Sequence, residues 1–443
     1  MSSGGLDNAT STHNSNRMKI LMDSLSVLHW HNGATWFISL LTIALVLIRP
    51  KRWSEAWWAV AGACLLVICG LISLSSAAQA MAKGLDVYLF LIGMMIMSEL
   101  ARREGVFDWV AGHAVRASKG SRARLFVLIY AVGIAVTVFL SNDATAVVLT
   151  PAVMAAVRAA EAEPLPYLLI CAFIANAASF VLPISNPANL VVYNGGMPPL
   201  GRWLLTFGLP SLAAIGITFL VLRWLSAKHL SGAMTEPVAP KRLSPSGKIT
   251  LFGIAFLAVT LMIASAFNLD LGAPACAAGV LVAIAICMRD PKAPFEIARE
   301  ISWSVLPLVA GLFVIVEAIN SAGALSAGVH ALRQMENWQP LRSALTSGFG
   351  IALISNLMNN LPSGLISGSA VRAAAATGPL RDAVLIGVDL GPNLSVTGSL
   401  ATILWLIAIR RDGQHVGFWD FLRWGIFVMP PALAVAIIAL VIA

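Results

Sequence analysis

Apolar runs of about twenty residues follow one another along almost the whole chain, parted by short polar stretches that hold most of the basic residues. The spacing predicts membrane helices over 33–49, 55–75, 85–101, 164–193 and 203–226, and again over 248–267, 272–289, 302–320, 380–409 and 419–442. Two further apolar segments, 122–158 and 340–375, each carry Ser-Asn near the middle. They read as re-entrant hairpins, whose two helical arms meet at a tip inside the membrane. Two true crossings per segment is the alternative, and the polar tips favour the hairpin.

Polar residues interrupt these segments twice in the same order, about 213 residues apart. Phe139-Leu-Ser-Asn-Asp-Ala-Thr145, Ala175-Asn-Ala-Ala-Ser179 and Ser185-Asn-Pro-Ala-Asn189 come first. Leu353-Ile-Ser-Asn-Leu-Met-Asn-Asn360, Val388-Asp-Leu-Gly-Pro-Asn393 and Thr397-Gly-Ser-Leu-Ala-Thr402 answer them. Backbone that leaves the helix at bilayer depth is costly unless it lines a cavity or lies inside protein. Paired interruptions in two halves therefore point to the binding site of a secondary transporter.

With hairpins, each half crosses five times, and an odd count makes the second half enter from the opposite side. The expected fold is an all-α polytopic membrane protein. It is an inverted repeat of two five-span halves, each with a re-entrant hairpin and a broken helix, about 10 spans plus 2 hairpins in all. With the N-terminus outside, 21 of the 29 basic residues fall inside and 8 outside, as the positive-inside rule demands. The expected divisions are a polar tail over 1–30, a first membrane repeat over 31–226, a Pro-rich cytoplasmic linker over 227–247 and a second repeat over 248–443. The tail lacks a basic segment leading into an apolar one, so it reads as disordered rather than as a signal peptide. Residues 103–118, with Phe107, Trp109 and Val110 among basic neighbours, fit an interfacial amphipathic helix or a solvated loop.

Composition agrees with a membrane protein: 58% of the residues are hydrophobic and only 11% charged, against about 25% charged in ordinary soluble domains. Mean hydropathy is +0.83. The net charge of +8 needs no nucleic-acid partner, because Lys and Arg collect in cytoplasmic loops of such proteins. The five cysteines stand singly in apolar helices, as small core residues rather than a disulfide framework or a metal site.

Four acids sit in or beside the membrane segments: Glu99, Asp143, Glu317 and Asp389. Inserting an Asp near a helix centre costs roughly 2.5–3.5 kcal/mol, which makes function the first hypothesis. Glu99 and Glu317 occupy matching places near span ends, where a structural role suffices. Asp143 lies at the first hairpin tip. Asp389 precedes the Gly391-Pro392-Asn393 break and corresponds to Asn176 of the first half. An amide in one half and an acid in the other gives a symmetric site one titratable group, suited to proton coupling. A neutral, hydrogen-bonded structural Asp is the competing reading.

The other candidates are neutral: Ser141, Asn142, Thr145, Asn176, Ser185, Asn186 and Asn189, with Ser355, Asn356, Asn359, Asn360, Asn393, Thr397 and Ser399 from the second half. Pro187 and Pro392 remove helical N–H donors and free carbonyls one turn earlier. Amides and hydroxyls both donate and accept, so the cavity suits a small polyhydroxylated molecule or a hydrated cation. Some of these side chains simply cap helix ends. No phosphate-binding loop, zinc-protease motif or Cys/His spacing is present, so ATP hydrolysis by this chain, metal catalysis and a resident cofactor are not expected. Gly387-Val-Asp389 is similar to the aspartyl intramembrane proteases, but no second helix supplies a partner Asp motif.

At these residues the chain resembles the bacterial arsenite/antimonite efflux permeases of the ion transporter superfamily. Gly387-Val-Asp-Leu-Gly-Pro-Asn-Leu-Ser-Val-Thr-Gly-Ser-Leu-Ala-Thr-Ile-Leu-Trp405 and Met358-Asn-Asn-Leu-Pro-Ser363 carry the resemblance. Ser141-Asn-Asp-Ala-Thr-Ala-Val-Val-Leu-Thr-Pro151 and Leu182-Pro-Ile-Ser-Asn-Pro-Ala-Asn-Leu190 support it, and it covers roughly residues 30–443. It implies efflux of trivalent arsenic or antimony across the bacterial inner membrane, driven by the proton motive force and conferring arsenic resistance. It also implies that a soluble ATPase subunit can be a partner. Arsenous acid, neutral and with three hydroxyls, agrees with an Asn/Ser/Thr-lined cavity. Ser185-Asn-Pro-Ala-Asn189 is similar also to the break in anion-transporting relatives, which keeps a sodium- or proton-coupled carboxylate transporter as the alternative.

Overall fold

The computed structural model describes residues 31–50, 53–193, 196–232, 234, 242–290, 293–411 and 413–443. The polar tail over 1–30 lies outside them, as do residues 233 and 235–241 of the linker. Every element among the described residues is helical.

The first half contains α1 (His31–Ile48), α2 (Glu55–Ile68), α3 (Leu74–Ala82), α4 (Leu85–Arg103) and α5 (Val106–Ala117). It continues with α6 (Arg122–Phe139), α7 (Thr150–Ala159), α8 (Leu165–Ala177), α9 (Pro187–Tyr193) and α10 (Leu200–Leu225). The second half runs through α11 (Pro245–Ala266), α12 (Gly272–Cys287), α13 (Ala293–Glu300), α14 (Val305–Ser321) and α15 (Ala324–Glu336). It ends with α16 (Pro340–Met358), α17 (Asn360–Ala374), α18 (Gly378–Leu390), α19 (Leu400–Arg411) and α20 (Phe418–Ile442). The element order of the first half thus recurs in the second.

Local chemistry sets the helix starts. Ser54, Ser73, Ser121 and Ser244 cap α2, α3, α6 and α11 by accepting a first-turn backbone N–H. Pro245, Pro340 and Pro166 occupy first-turn positions, where a missing N–H costs nothing. Six described helical segments are long and apolar enough to cross a membrane, including Ala293–Ser321, which takes α13 and α14 together. The pair α3 and α4 passes the same test but bends by 48°. Three further apolar helices, α2, α8 and α12, are shorter, and α8 is so because the chain breaks after it. The 103–118 region forms a helix, α5, rather than a loop.

Burial runs opposite ways at the centre and the periphery. All of α8 from Pro166 to Ala177 is buried, and so is α18 from Asp382 to Leu390. On the peripheral helices, Leu205, Leu212, Phe252 and Trp419 are exposed, as lipid-facing side chains should be. Helices α10 and α20 pack on each other, and α4 packs on α12 while α14 packs on α2. The matching glycines make those contacts close. A Cβ on Gly93 would overlap the Ala275 carbonyl, and one on Gly311 would lie 2.8 Å from the Ala59 carbonyl carbon.

Glu99 and Glu317 form ion pairs. Arg102 donates to Glu99 at 2.8 and 2.6 Å, and Lys83 to Glu317 at 3.1 Å. Beside the first pair, Arg103 reaches Asp290 and Glu296 of the other half. These groups hold the halves together near the helix ends.

Candidate transport site

Each of the two segments 122–158 and 340–375 consists of two helical arms joined at a polar tip, with the arms pinned alike. In the first, α6 ends at Phe139 and the chain re-enters a short helical turn at Asn142–Ala144. Ser141 Oγ accepts the Ala144 N–H at 3.1 Å, and Asn142 Oδ1 accepts the Asp143 N–H at 2.9 Å. A wide turn with π-helical bonding, Thr145–Leu149, then leads into α7. Thr137 and Thr145 join across the hairpin at 2.8 Å. In the second hairpin, Ser355 and Ser363 make the matching bond at 2.7 Å.

The tips differ. Ser141, Asn142 and Thr145 are buried, but Asp143 is only partly so, and its carboxylate accepts no hydrogen bond among the described residues. The second tip has no acid. Asn359 turns the chain there at φ 77° and ψ 154°, a region almost reserved for glycine, and its side chain accepts the Leu361 N–H at 3.2 Å. Asn360 is buried beside it.

Each tip lies against the broken helix of the opposite half. The Asn142–Leu149 segment packs on α19, and α17 packs on α9. A Cβ on Gly364 would stand 3.2 Å from a Val192 methyl, so these helices approach closely.

At the first break the chain leaves α8 after Ala177 and resumes at Pro187. Asn189 Nδ2 gathers the Ser179, Leu182 and Pro183 carbonyls at 2.9, 3.4 and 3.3 Å. Ser185 Oγ donates to the Val138 carbonyl at 3.1 Å and ties the break to α6. At the second break, Asn356 does the bracketing. Its Nδ2 donates to the Ala352 and Gly391 carbonyls, each at 2.8 Å. Its Oδ1 accepts from Ser395 at 2.6 Å, and its carbonyl accepts from Thr397 at 3.0 Å. Ser399 caps α19 through the Ala401 N–H at 3.1 Å. Gly398 leaves room for this: a Cβ there would lie 2.7 Å from Asn356 Oδ1.

The two breaks meet. Asn176 Nδ2 donates to Asn393 Oδ1 at 3.0 Å and to Thr402 at 3.4 Å, while Asn393 Nδ2 donates to the Phe173 carbonyl at 3.0 Å. Asn186 Nδ2 donates to Asp389 Oδ1 at 2.8 Å. Asp389 is wholly buried, and among the described residues its Oδ2 has no hydrogen-bond partner, nor do Asn176 Oδ1 and Asn189 Oδ1. Buried acceptors left open in this way are rare in finished protein cores. None of the hydrogen bonds made by these side chains involves Lys or Arg.

The structure therefore brings Asn176, Asn186, Asp389 and Asn393 together, and brackets Asn356, Thr397 and Ser399 beside them. Asn189, Ser185 and Ser141 spend their donors or acceptors on backbone. Asp143 belongs to the same hairpin-and-break layer but is not hydrogen-bonded to Asp389. Sequence reasoning passed over Ser395 and Ser179, which bond to Asn356 Oδ1 and the Asn176 carbonyl, and over Thr402. Ser179 and Thr402 stand within the repeated polar interruptions, which was the available signal. The Thr137 and Ser363 pins carry none, since each is a single hydroxyl in an apolar arm.

The family model described as CitMHS, citrate transporter, matches residues 43–389. An arsenical pump membrane protein of Escherichia coli is 27% identical over 91% of this chain and 97% of its own. A putative arsenical pump membrane protein of Bacillus subtilis is 23% identical over 88% of this chain and 95% of its own. Among solved structures, the Alcanivorax borkumensis YdaH transporter superposes with a TM-score of 0.57 at 13% identity, covering 93% of this chain and 98% of that one.

Proposed function

Since the chain belongs to the citrate transporter (CitMHS) family and is a membrane transporter of the arsenical-pump type, we propose that it exports arsenite and antimonite from the cytoplasm by proton antiport. The observation that carries this reading is the meeting of the two breaks. Asn176, Asn186, Asn393 and Asp389 converge there from both halves with no basic side chain bonded among them. A neutral trihydroxide needs donors and acceptors, not a counter-charge. A carboxylate substrate would need positive charge to offset its burial.

In this reading the substrate is held by the open acceptors and by the hydroxyls and amides of both breaks and tips: Ser141, Asn142, Thr145, Ser185, Asn189, Ser355, Asn356, Asn359, Asn360, Thr397 and Ser399 contribute with the central four. Asp389, with Asp143, carries the proton. Binding of hydroxide substrate and binding of proton compete for the same acceptor oxygens, which is what antiport requires. The halves act as an inverted repeat of five spans each, over 31–226 and 248–443 and joined by the 227–247 linker, with the N-terminus outside the inner membrane. The recurring element order and the exchange of packing partners between α2, α4, α12 and α14 support that symmetry. Alternating access then moves hairpins and broken helices against the outer helices. A soluble ATPase subunit would dock on the cytoplasmic side.

One observation favours a second reading, cation-coupled transport of a small carboxylate: the family model is described as a citrate transporter. Everted membrane vesicles separate the two. With an inside-acidic gradient and no ATP, arsenite should accumulate and collapse on adding a protonophore. Sealed vesicles that accumulate citrate instead, and no arsenite, would replace the first reading with the second.

A further inference from the structure

Away from the transport site, the last turns of α5 and α10 and the first turns of α6 enclose an open groove of about 330 Å³. It is lined by Ala117, Ala123, Arg124, Val127, Leu128 and Arg223. Both arginines are exposed, and neither guanidinium has a hydrogen-bond or ion-pair partner among the described residues. They come from different helices, so the groove presents a two-sided cationic mouth. Below it the wall turns apolar at once. Val127 and Leu128 follow Arg124 by three and four positions, one turn deeper on the same helix face, and Val127 is 44% exposed.

Its height in the bilayer is marked independently. Trp224, adjacent to Arg223, is 65% exposed and meets Phe427 edge-on with centroids 6.1 Å apart. Exposed tryptophan at a helix end belongs to the aromatic belt at headgroup level. The surrounding charge has the same sign: Arg116, Lys119, Arg122 and Lys228 lie on the flanking turns, while Glu163 is engaged by His229 at 2.6 Å.

We propose that this groove binds the phosphodiester headgroup of an anionic phospholipid, clasped between Arg124 and Arg223, with an acyl chain laid along Val127 and Leu128. Two guanidinium forks suit phosphate oxygens, and basic pockets between membrane helices take such headgroups. A free phosphate would use the arginines alone. The apolar wall directly beneath them selects the lipid.

The test is native mass spectrometry of the full chain in mild detergent, titrated with phosphatidylglycerol and with phosphatidylcholine. Phosphatidylglycerol should bind the wild type more tightly than phosphatidylcholine. The double variant Arg124→Gln/Arg223→Gln should bind it about thirtyfold more weakly. Arg124→Lys/Arg223→Lys should keep most of the affinity, and Arg299→Gln, on a different exposed helix, all of it. Soluble glycerol phosphate should not displace the lipid. A double Gln variant that binds as the wild type does, or equal binding of the two lipids, overturns the proposal. Displacement by glycerol phosphate at equal concentration reassigns the groove to a soluble anion and overturns it too. The wild type gives a reading independent of any variant: phosphatidylglycerol should raise its unfolding temperature, phosphatidylcholine should not, and equal shifts count against the site.

Discussion

The two halves of the molecule share a frame but not their charges. Thr137–Thr145 and Ser355–Ser363 pin equivalent hairpins with bonds of 2.8 and 2.7 Å. Asn176 and Asp389 end equivalent helices, and each reaches into the opposite half. Yet the first tip carries a carboxylate, Asp143, without hydrogen-bond partners among the described residues, while the second carries Asn359 at φ 77° and the bracketing Asn356. One break holds an amide, the other a wholly buried acid. Matching interruptions bring polar groups together from both sides, and the differences between them put ionisable groups at single, unequal places. A symmetric pair of buried acids would repel; one acid against one amide does not.

The sharpest way to break this asymmetry is Asp389→Asn, which makes both breaks amides. Gradient-driven arsenite accumulation in everted vesicles should fall to the level of vesicles lacking the protein. Normal gradient-driven transport by this variant would remove Asp389 from the coupling role. Asn176→Asp combined with Asp389→Asn moves the acid to the other half, and partial recovery of gradient dependence is the expected result.

A smaller effect is expected from Asn186→Ala, which takes away the hydrogen bond to Asp389 Oδ1. A hydrogen bond to a charged group contributes about 1.5–3 kcal/mol, so initial rates should drop about tenfold or more. An unchanged rate would mean the Asn186–Asp389 pair plays no part in the cycle.

Asn356→Ala tests the bracket that a hairpin-tip asparagine makes in the second half, where the first half uses Asn189 of the break itself. It removes the side-chain bonds to Ala352, Gly391 and Ser395, each contributing about 1 kcal/mol. Thermal unfolding in detergent should show a loss of about 2–3 kcal/mol. The hairpin pins are the internal standard: Thr137→Val and Ser355→Ala should each cost about 1 kcal/mol and agree with one another. Clearly unequal costs would show that the shared frame is not energetically shared. Smallest of all, Asn359→Gly relieves the positive φ while losing only a few tenths of a kcal/mol of capping. A gain of about 0.5–1 kcal/mol is expected, with destabilisation as the contrary result.

Much of the frame was legible in the chain. Long apolar runs favour helices in a bilayer because only a helix satisfies its backbone within a single segment there. The clusters of polar residues around Pro187 and Pro392 mark where those helices break, whereas Pro210, Pro430 and Pro431, among mainly apolar neighbours, stay inside continuous helices. The expected hairpins over 122–158 and 340–375 coincide with α6–α7 and α16–α17, and the expected broken segments 164–193 and 380–409 with α8–α9 and α18–α19. Residue type was a weaker guide to role. Asn189 and Asn356 read like Asn176 and Asn186 in sequence, but the first two spend their amides on backbone carbonyls of their own half.

What the sequence determined by itself is where the chain must be helical, where it cannot be, and that it does both twice; local sterics and the cost of unpaired backbone in lipid suffice for that. Only the tertiary structure decided which polar groups face one another. Asn176 meets Asn393 and Asn186 meets Asp389 across more than 200 residues of chain, because helices close-packed through glycine bring the two breaks into contact. A hydrogen bond depends on distances of a few tenths of an ångström between segments remote in sequence, and no local pattern encodes that.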